Sequence, residues 1–126
     1  MFTETKAFSG FAVDDLEAAQ QFYGETLGLN VSVLDEGNLI SLDIAGDRPT
    51  LVYIKPDHVP ATYTILNFPV DDVDAAAAEL ASRGIEFERY EGMDHDDNGV
   101  SRNPDGPPIA WFKDPAGNIL SVLEGM

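Results

Sequence analysis

One phrase is written twice in this chain. Phe11 to Ala19 reads FAVDDLEAA and Phe68 to Ala76 reads FPVDDVDAA; six of the nine positions are identical, and Leu16/Val73 and Glu17/Asp74 are close swaps. In a chain of 126 residues, such a repeat restricts the fold to two copies of one supersecondary unit. Both copies open alike. A strand-like run, Lys6 to Val13 or Thr62 to Phe68, leads into paired aspartates and then a helical pattern. Asp14 is expected to cap the first helix, with Glu17 three residues on as a capping box, and Asp71 with Asp74 repeats the arrangement.

The remainder of each copy follows the same plan. Leu16, Ala19, Phe22, Tyr23 and Leu27 recur at helical spacing until Gly28 stops the helix. Strand-like runs follow at Leu29 to Leu34, Leu39 to Ile44 and Leu51 to Lys55, separated by the turn sequences DEGN and AGDRP. In the second copy, Ala75 to Ala81 favours helix, Arg83-Gly84 ends it, and Glu86 to Tyr90 is expected to be a strand. A polar segment, residues 91–106, reads as a mobile loop. Ile109 to Lys113 and Ile119 to Leu123 form a hairpin around DPAGN, a turn built from Asp, Pro and Gly. The chain is β-α-β-β-β written twice, an α+β fold, with modules at about 5–57 and about 61–124. Two such units facing each other enclose a concave space, where pockets form.

Composition narrows the function. With 7 Lys+Arg against 23 Asp+Glu, the formal charge is −16, which repels nucleic-acid phosphates and anionic lipid. The diffuse charge is read first as solubility and second as attraction for cationic ligands. There is no cysteine, so disulfides and thiolate chemistry are excluded, and a reducing cytoplasm suits the chain. No apolar run approaches a membrane span, and MFTETKAFSG does not read as a secretory signal. No G-x-S-x-G and no phosphate-cradling glycine loop occurs.

Three stretches, FAVDDLEAAQQFYGETLGLNV, FPVDDVDAAAAELASRGIEF and WFKDPAGNILSVLE, together resemble the vicinal oxygen chelate superfamily. That superfamily includes glyoxalase I, extradiol dioxygenases, and fosfomycin- and bleomycin-resistance proteins. The resemblance covers nearly the whole chain. It implies two βαβββ modules forming a cup around a ligand site, a homodimer, and, in the enzymes, a divalent metal held by His, Glu or Gln. Carried over one by one, the ligand positions fall on Phe8 and Ile65, five residues before the Val of each repeated phrase. They fall also on Ser121 after DPAGN and on Tyr53 as its counterpart in the first module. None of these four suits a catalytic divalent ion, and the neighbours Ala7, Ser9, Thr64, Leu66, Leu120 and Val122 are no better.

No metal or other cofactor is therefore expected. His58, between prolines, and His95, in the acidic loop, read as loop histidines without converging partners. DHDDNG, from Asp94 to Gly99, matches the start of a calcium loop but lacks flanking helices and a glutamate at the last ligand position. The expected site is organic. Strand parity groups Phe8 with Gly10, and Tyr63 with Ile65 and Asn67, while Tyr53, Ser121 and Trp111 add to the same cavity. This is an aromatic and apolar lining with a few polar groups, suited to a small organic ligand; filling of a core is the competing role for Phe8, Ile65 and Trp111. The first functional expectation is a drug-sequestering binding protein like the bleomycin-resistance branch. The second is a glyoxalase- or dioxygenase-like enzyme using atypical metal ligands, or acid–base chemistry at Tyr53, Tyr63 or a loop carboxylate.

Overall fold

The paired aspartates cap both helices, one residue later than the spacing predicts. In a computed structural model that describes residues 1–46 and 48–125, Asp15 and Asp72 take the extended cap conformation. Their carboxylates accept from the amides of Ala18 and Ala75. The third residue after each cap is therefore alanine, and the expected capping box does not form. At the second helix another acid does related work: Glu124 Oε2 accepts from the Val73 amide at 2.9 Å. A carboxylate there satisfies an orphan helix donor and complements the positive helix end.

Two compact units divide the chain between Val59 and Pro60. In the first, β1 (Ser9–Val13), α1 (Leu16–Gln21), β2 (Asn30–Leu34), β3 (Leu39–Asp43) and β4 (Thr50–Ile54) give one sheet of order β1-β4-β3-β2. β1 and β4 run parallel and the other pairs antiparallel. The helical pattern past Gln21 continues as a π-helical turn, Phe22–Thr26, closed by a bond from the Leu27 amide to the Phe22 carbonyl. This wider turn accommodates the five-residue step from Phe22 to Leu27 in the apolar pattern. Gly28 (φ 72°) then ends the element as expected. Tyr23 is wholly buried, 5.7 Å from the Phe11 ring and 5.1 Å from that of Phe22. With Ile40, Leu42 and Val52, all at 0% exposure, it forms the core on the helix side of the sheet. Of the AGDRP turn, Asp47 lies outside the described residues.

In the second unit, β5 (Thr64–Val70), α2 (Val73–Ser82), β6 (Ile109–Lys113) and β7 (Ile119–Glu124) give a sheet of order β5-β7-β6, with β5 and β7 parallel. The expected strand at Glu86 to Tyr90 shrinks to one bridge, Glu88 to Trp111. Next to the bridge, the Arg89 guanidinium reaches the carbonyls of Asp96 and Asp97. The segment is thus held to the following loop as well as to β6. Val73 and Ala77 of α2 are buried, as are Leu120, Val122, Ala110 and Phe112, which alternate onto the helix side of the sheet. Burying side chains of this size stabilises by about 1.5–3 kcal/mol each for the larger ones. Central β7 is buried on both faces, from Ile119 to Leu123, so it reads as a continuous apolar run interrupted only by Ser121. Among the described residues no helix is long and apolar enough to cross a membrane.

Candidate functional site

The expected site residues separate into two groups. Phe8 and Tyr53 belong to the first unit. Tyr53 pairs with Ala12 on β1, so Phe8 lies four residues, about 13 Å of strand, from that row. Both are largely in solvent, at 60% and 45% exposure. The structure does not bring them into one cluster within their sheet.

In the second unit three residues do come together. Asn67 on β5 pairs with Ser121 on β7, and Ser121 pairs with Trp111 on β6. Partners across a ladder point to the same side, and this side is opposite the one that carries α2. Glu88 extends the row through its bridge to Trp111. Ser121 is completely buried and its Oγ donates to Asn67 Oδ1, while Asn67 itself is exposed on the edge strand.

Tyr63 and Ile65 leave that row. The β5–β7 register shifts between Thr64 and Leu66, so Ile65 is the extra residue of a bulge. A bulge reverses the parity of everything before it. Thr64 therefore takes the place that alternation assigned to Ile65, and Trp111 Nε1 donates to Thr64 Oγ1 at 3.1 Å. Tyr63 lies ahead of the strand and is 70% exposed. No signal in the residues announces this bulge, which is why Thr64 escapes a reading by parity.

The indole of Trp111 has aromatic company. Tyr90 meets it edge-on with centroids 5.3 Å apart and a 72° interplanar angle, and His95 does so at 6.2 Å and 71°. Burial raises the Tyr90 phenol above its usual range, helped by the Glu88 carboxylate and opposed by Lys113. Tyr90 is consequently a neutral hydrogen-bond donor and no phenolate base. Lys113 and Glu88 pair at 3.3 Å, which neutralises that end of the row. Tyr90 was accessible to sequence reasoning as the aromatic residue closing the Glu86 to Tyr90 run.

His95 is committed to structure. Its Nε2 accepts from the Tyr90 amide at 3.1 Å and its Nδ1 faces the Gly99 carbonyl at 3.0 Å. That pair of partners requires the neutral tautomer protonated at Nδ1, and leaves no lone pair for a metal. The calcium-like DHDDNG is likewise a turn. Asp96 Oδ1 accepts from the amides of Asn98 and Val100, and Arg102 donates to Oδ2. Partial desolvation pushes the Asp96 carboxyl up, but the Val100 and Asn98 amides and then Arg102 together hold it below the usual carboxylate range. Arg102 also pairs with Asp74 in the first turn of α2. The segment expected to be a mobile loop is instead knitted from His95 to Arg102. The family-like DPAGN is structural too: buried Asp114 accepts from the Ala116 and Asn118 amides and from Asn118 Nδ2.

A divalent centre of the kind the resemblance implies does not fit this donor set. Phe8 and Ile65 offer no donor atom, and the Ser121 hydroxyl is directed at Asn67. Nor is Tyr53 the register counterpart of Ser121. Asn67 corresponds to Gly10 in the repeat, and Gly10 pairs with Leu51; Tyr53 pairs with Ala12, whose equivalent Pro69 pairs with Leu123. Tyr53 thus stands one same-face row beyond the Ser121 position. Among the described residues no three His, Asp or Glu side chains are grouped to hold a metal ion.

Comparison with known proteins supplies the lineage. The lactoylglutathione lyase from Agrobacterium tumefaciens is similar at 24% identity and TM-score 0.70, covering 97% of this chain and 94% of that one. The antibiotic-binding protein TnmS3 from Streptomyces sp. CB03234 is similar at 24% identity and TM-score 0.71, over 98% of this chain and 99% of that one. The glyoxalase family protein from Enterococcus faecalis is similar at 26% identity and TM-score 0.66, over 98% and 100%. No curated protein matches. The two at 24% share the βαβββ architecture with this chain. The model of the Glyoxalase/Bleomycin resistance protein/Dioxygenase superfamily matches residues 7–122, and the chain therefore belongs to that superfamily.

Proposed function

We propose that this chain is a small-molecule-binding member of its superfamily, holding an organic ligand by aromatic contact and hydrogen bonding without a catalytic divalent metal. The observation that carries the reading is the row Asn67–Ser121–Trp111. It sets an indole and an amide beside Ser121, which stands where a metal-dependent relative would carry a ligand side chain. The reading sets the chain beside its antibiotic-binding neighbour and apart from its lyase neighbour. The formal charge of −16 favours ligands that are neutral or cationic over anions. The acid–base alternative loses support at Tyr53 and Tyr63, which are exposed.

Two measurements test this. The single tryptophan makes the site self-reporting. Titration with bleomycin and with a panel of planar aromatic antibiotics is expected to give a saturable change in Trp111 emission for at least one compound. A flat response to every compound at high micromolar concentration counts against binding. Elemental analysis of protein purified without chelator is expected to show no stoichiometric Zn, Mn, Fe or Ni. One equivalent per chain overturns the metal-independent reading. A homodimer is part of the same proposal, and sedimentation velocity at micromolar protein is expected to give twice the 13.7 kDa chain mass.

A further inference from the structure

Two polar groups in the row are oriented by the protein while still having hydrogen-bonding capacity to spare. Ser121 Oγ donates to Asn67 Oδ1. That bond directs the amide oxygen at Ser121 and so turns Nδ2, with its two protons, away from β7. Trp111 Nε1 donates to Thr64 Oγ1, which occupies a lone pair of that hydroxyl and leaves its own proton to be given elsewhere. Among the described residues neither Asn67 Nδ2 nor the Thr64 hydroxyl proton has a protein partner. Both lie on the same helix-free side as the Trp111 ring. Tyr90, kept protonated, adds a phenol donor at the ring's edge. The nearest acceptors of this neighbourhood are each engaged once, Glu88 Oε1 by Lys113 and Asn67 Oδ1 by Ser121.

We infer that Asn67 is the specificity-determining residue of this site, that Ser121 positions it, and that the ligand is a planar ring compound bearing a carbonyl-type oxygen. The inference rests on the binding reading above and names its ligand class. A ligand oxygen with lone pairs complements the presented Asn67 and Thr64 protons, while a ligand that presents only donors leaves them facing each other. Carboxylates satisfy the same hydrogen bonds, but an overall charge of −16 opposes them. A neutral carbonyl on an aromatic ring satisfies both conditions and stacks on the indole.

Proton–nitrogen correlation spectra of the full chain test this directly, because Trp111 Nε1–H and Asn67 Nδ2–H₂ each give their own signals. The probes are coumarin, a planar bicycle with a ring carbonyl, and naphthalene, which has the rings alone. Coumarin is expected to shift both side-chain signals, naphthalene only that of Trp111, with coumarin binding roughly two- to tenfold tighter, the worth of a hydrogen bond. Asn67→Asp removes the donors and is expected to abolish that preference. Ser121→Ala frees the amide to rotate and is expected to lower the preference for coumarin, and Ser121→Thr, which keeps the hydroxyl, to restore it. A Ser121 that served packing alone would alter both probes equally. Equal binding of both probes with an unmoved Asn67 signal overturns the inference and leaves the binding reading standing. No shift of Trp111 with either probe likewise overturns the inference, and the antibiotic titration above decides the binding reading separately.

Discussion

Gly99 shows how tightly single residues hold the segment before β6. It adopts φ +88°, and an added Cβ would meet Phe87 Cβ at 2.7 Å. Phe87 in turn packs edge-on against buried Phe112 at 6.1 Å. Gly99→Ala is expected to cost about 3 kcal/mol from combined backbone strain and overpacking. Gly84 has a similar φ of +89° but nothing within 4 Å. Gly84→Ala is expected to cost only about 1–2 kcal/mol. Urea unfolding of the two variants measures the difference. Asp96 offers a test by pH. Its folded carboxyl is held below its ordinary value, so its contribution is present above the unfolded value and lost as pH falls through the folded one. Protection of the Asn98 and Val100 amides against hydrogen exchange is expected to drop on acidification below about pH 4. Asp96→Asn is expected to abolish that pH dependence.

At the scale of elements, the repeated phrase located both helices correctly and misjudged their caps by one residue. The ambiguity is intrinsic to a pair of adjacent aspartates. Either can cap, and the choice depends on where the preceding strand releases the backbone. Asp15 and Asp72 are the ones in extended conformation with bonds to the third amide. Asp72→Ala is expected to destabilise by about 1 kcal/mol, and the exposed Asp71→Ala by less than about 0.5 kcal/mol. Glu124→Ala leaves the Val73 amide without its carboxylate and is expected to cost about 1–2 kcal/mol. Thermal or denaturant midpoints order the three. The strands were legible wherever apolar alternation met a turn signal, as in the hairpin around DPAGN. Glu86 to Tyr90 had the alternation but pairs through one bridge alone, Glu88 to Trp111. Tyr63 and Ile65 were grouped with Asn67 because parity assumes an unbroken ladder. The bulge at Ile65 breaks it and substitutes Thr64.

For the molecule as a whole, a charge of −16 on 126 residues implies self-repulsion that salt will screen. The melting temperature is expected to rise as sodium chloride increases from about 10 mM to several hundred millimolar, where the Debye length shrinks to a few ångströms. A flat or falling profile would show that local pairs such as Arg102–Asp74 and Glu88–Lys113 outweigh the net charge. The sequence by itself determined the doubled βαβββ plan, the helix positions and the unsuitability of Phe8 and Ile65 as metal ligands. Each of these follows from local chemistry: periodicity, turn residues, and the presence or absence of a donor atom. Only the tertiary structure decided which side chains share a row and which atoms within it remain unengaged. Strand register sets Asn67 against Ser121 and Tyr53 against Ala12, and a single bulged residue reassigns a whole face. Register arises from pairing between distant segments, so the residues of one strand cannot specify it alone.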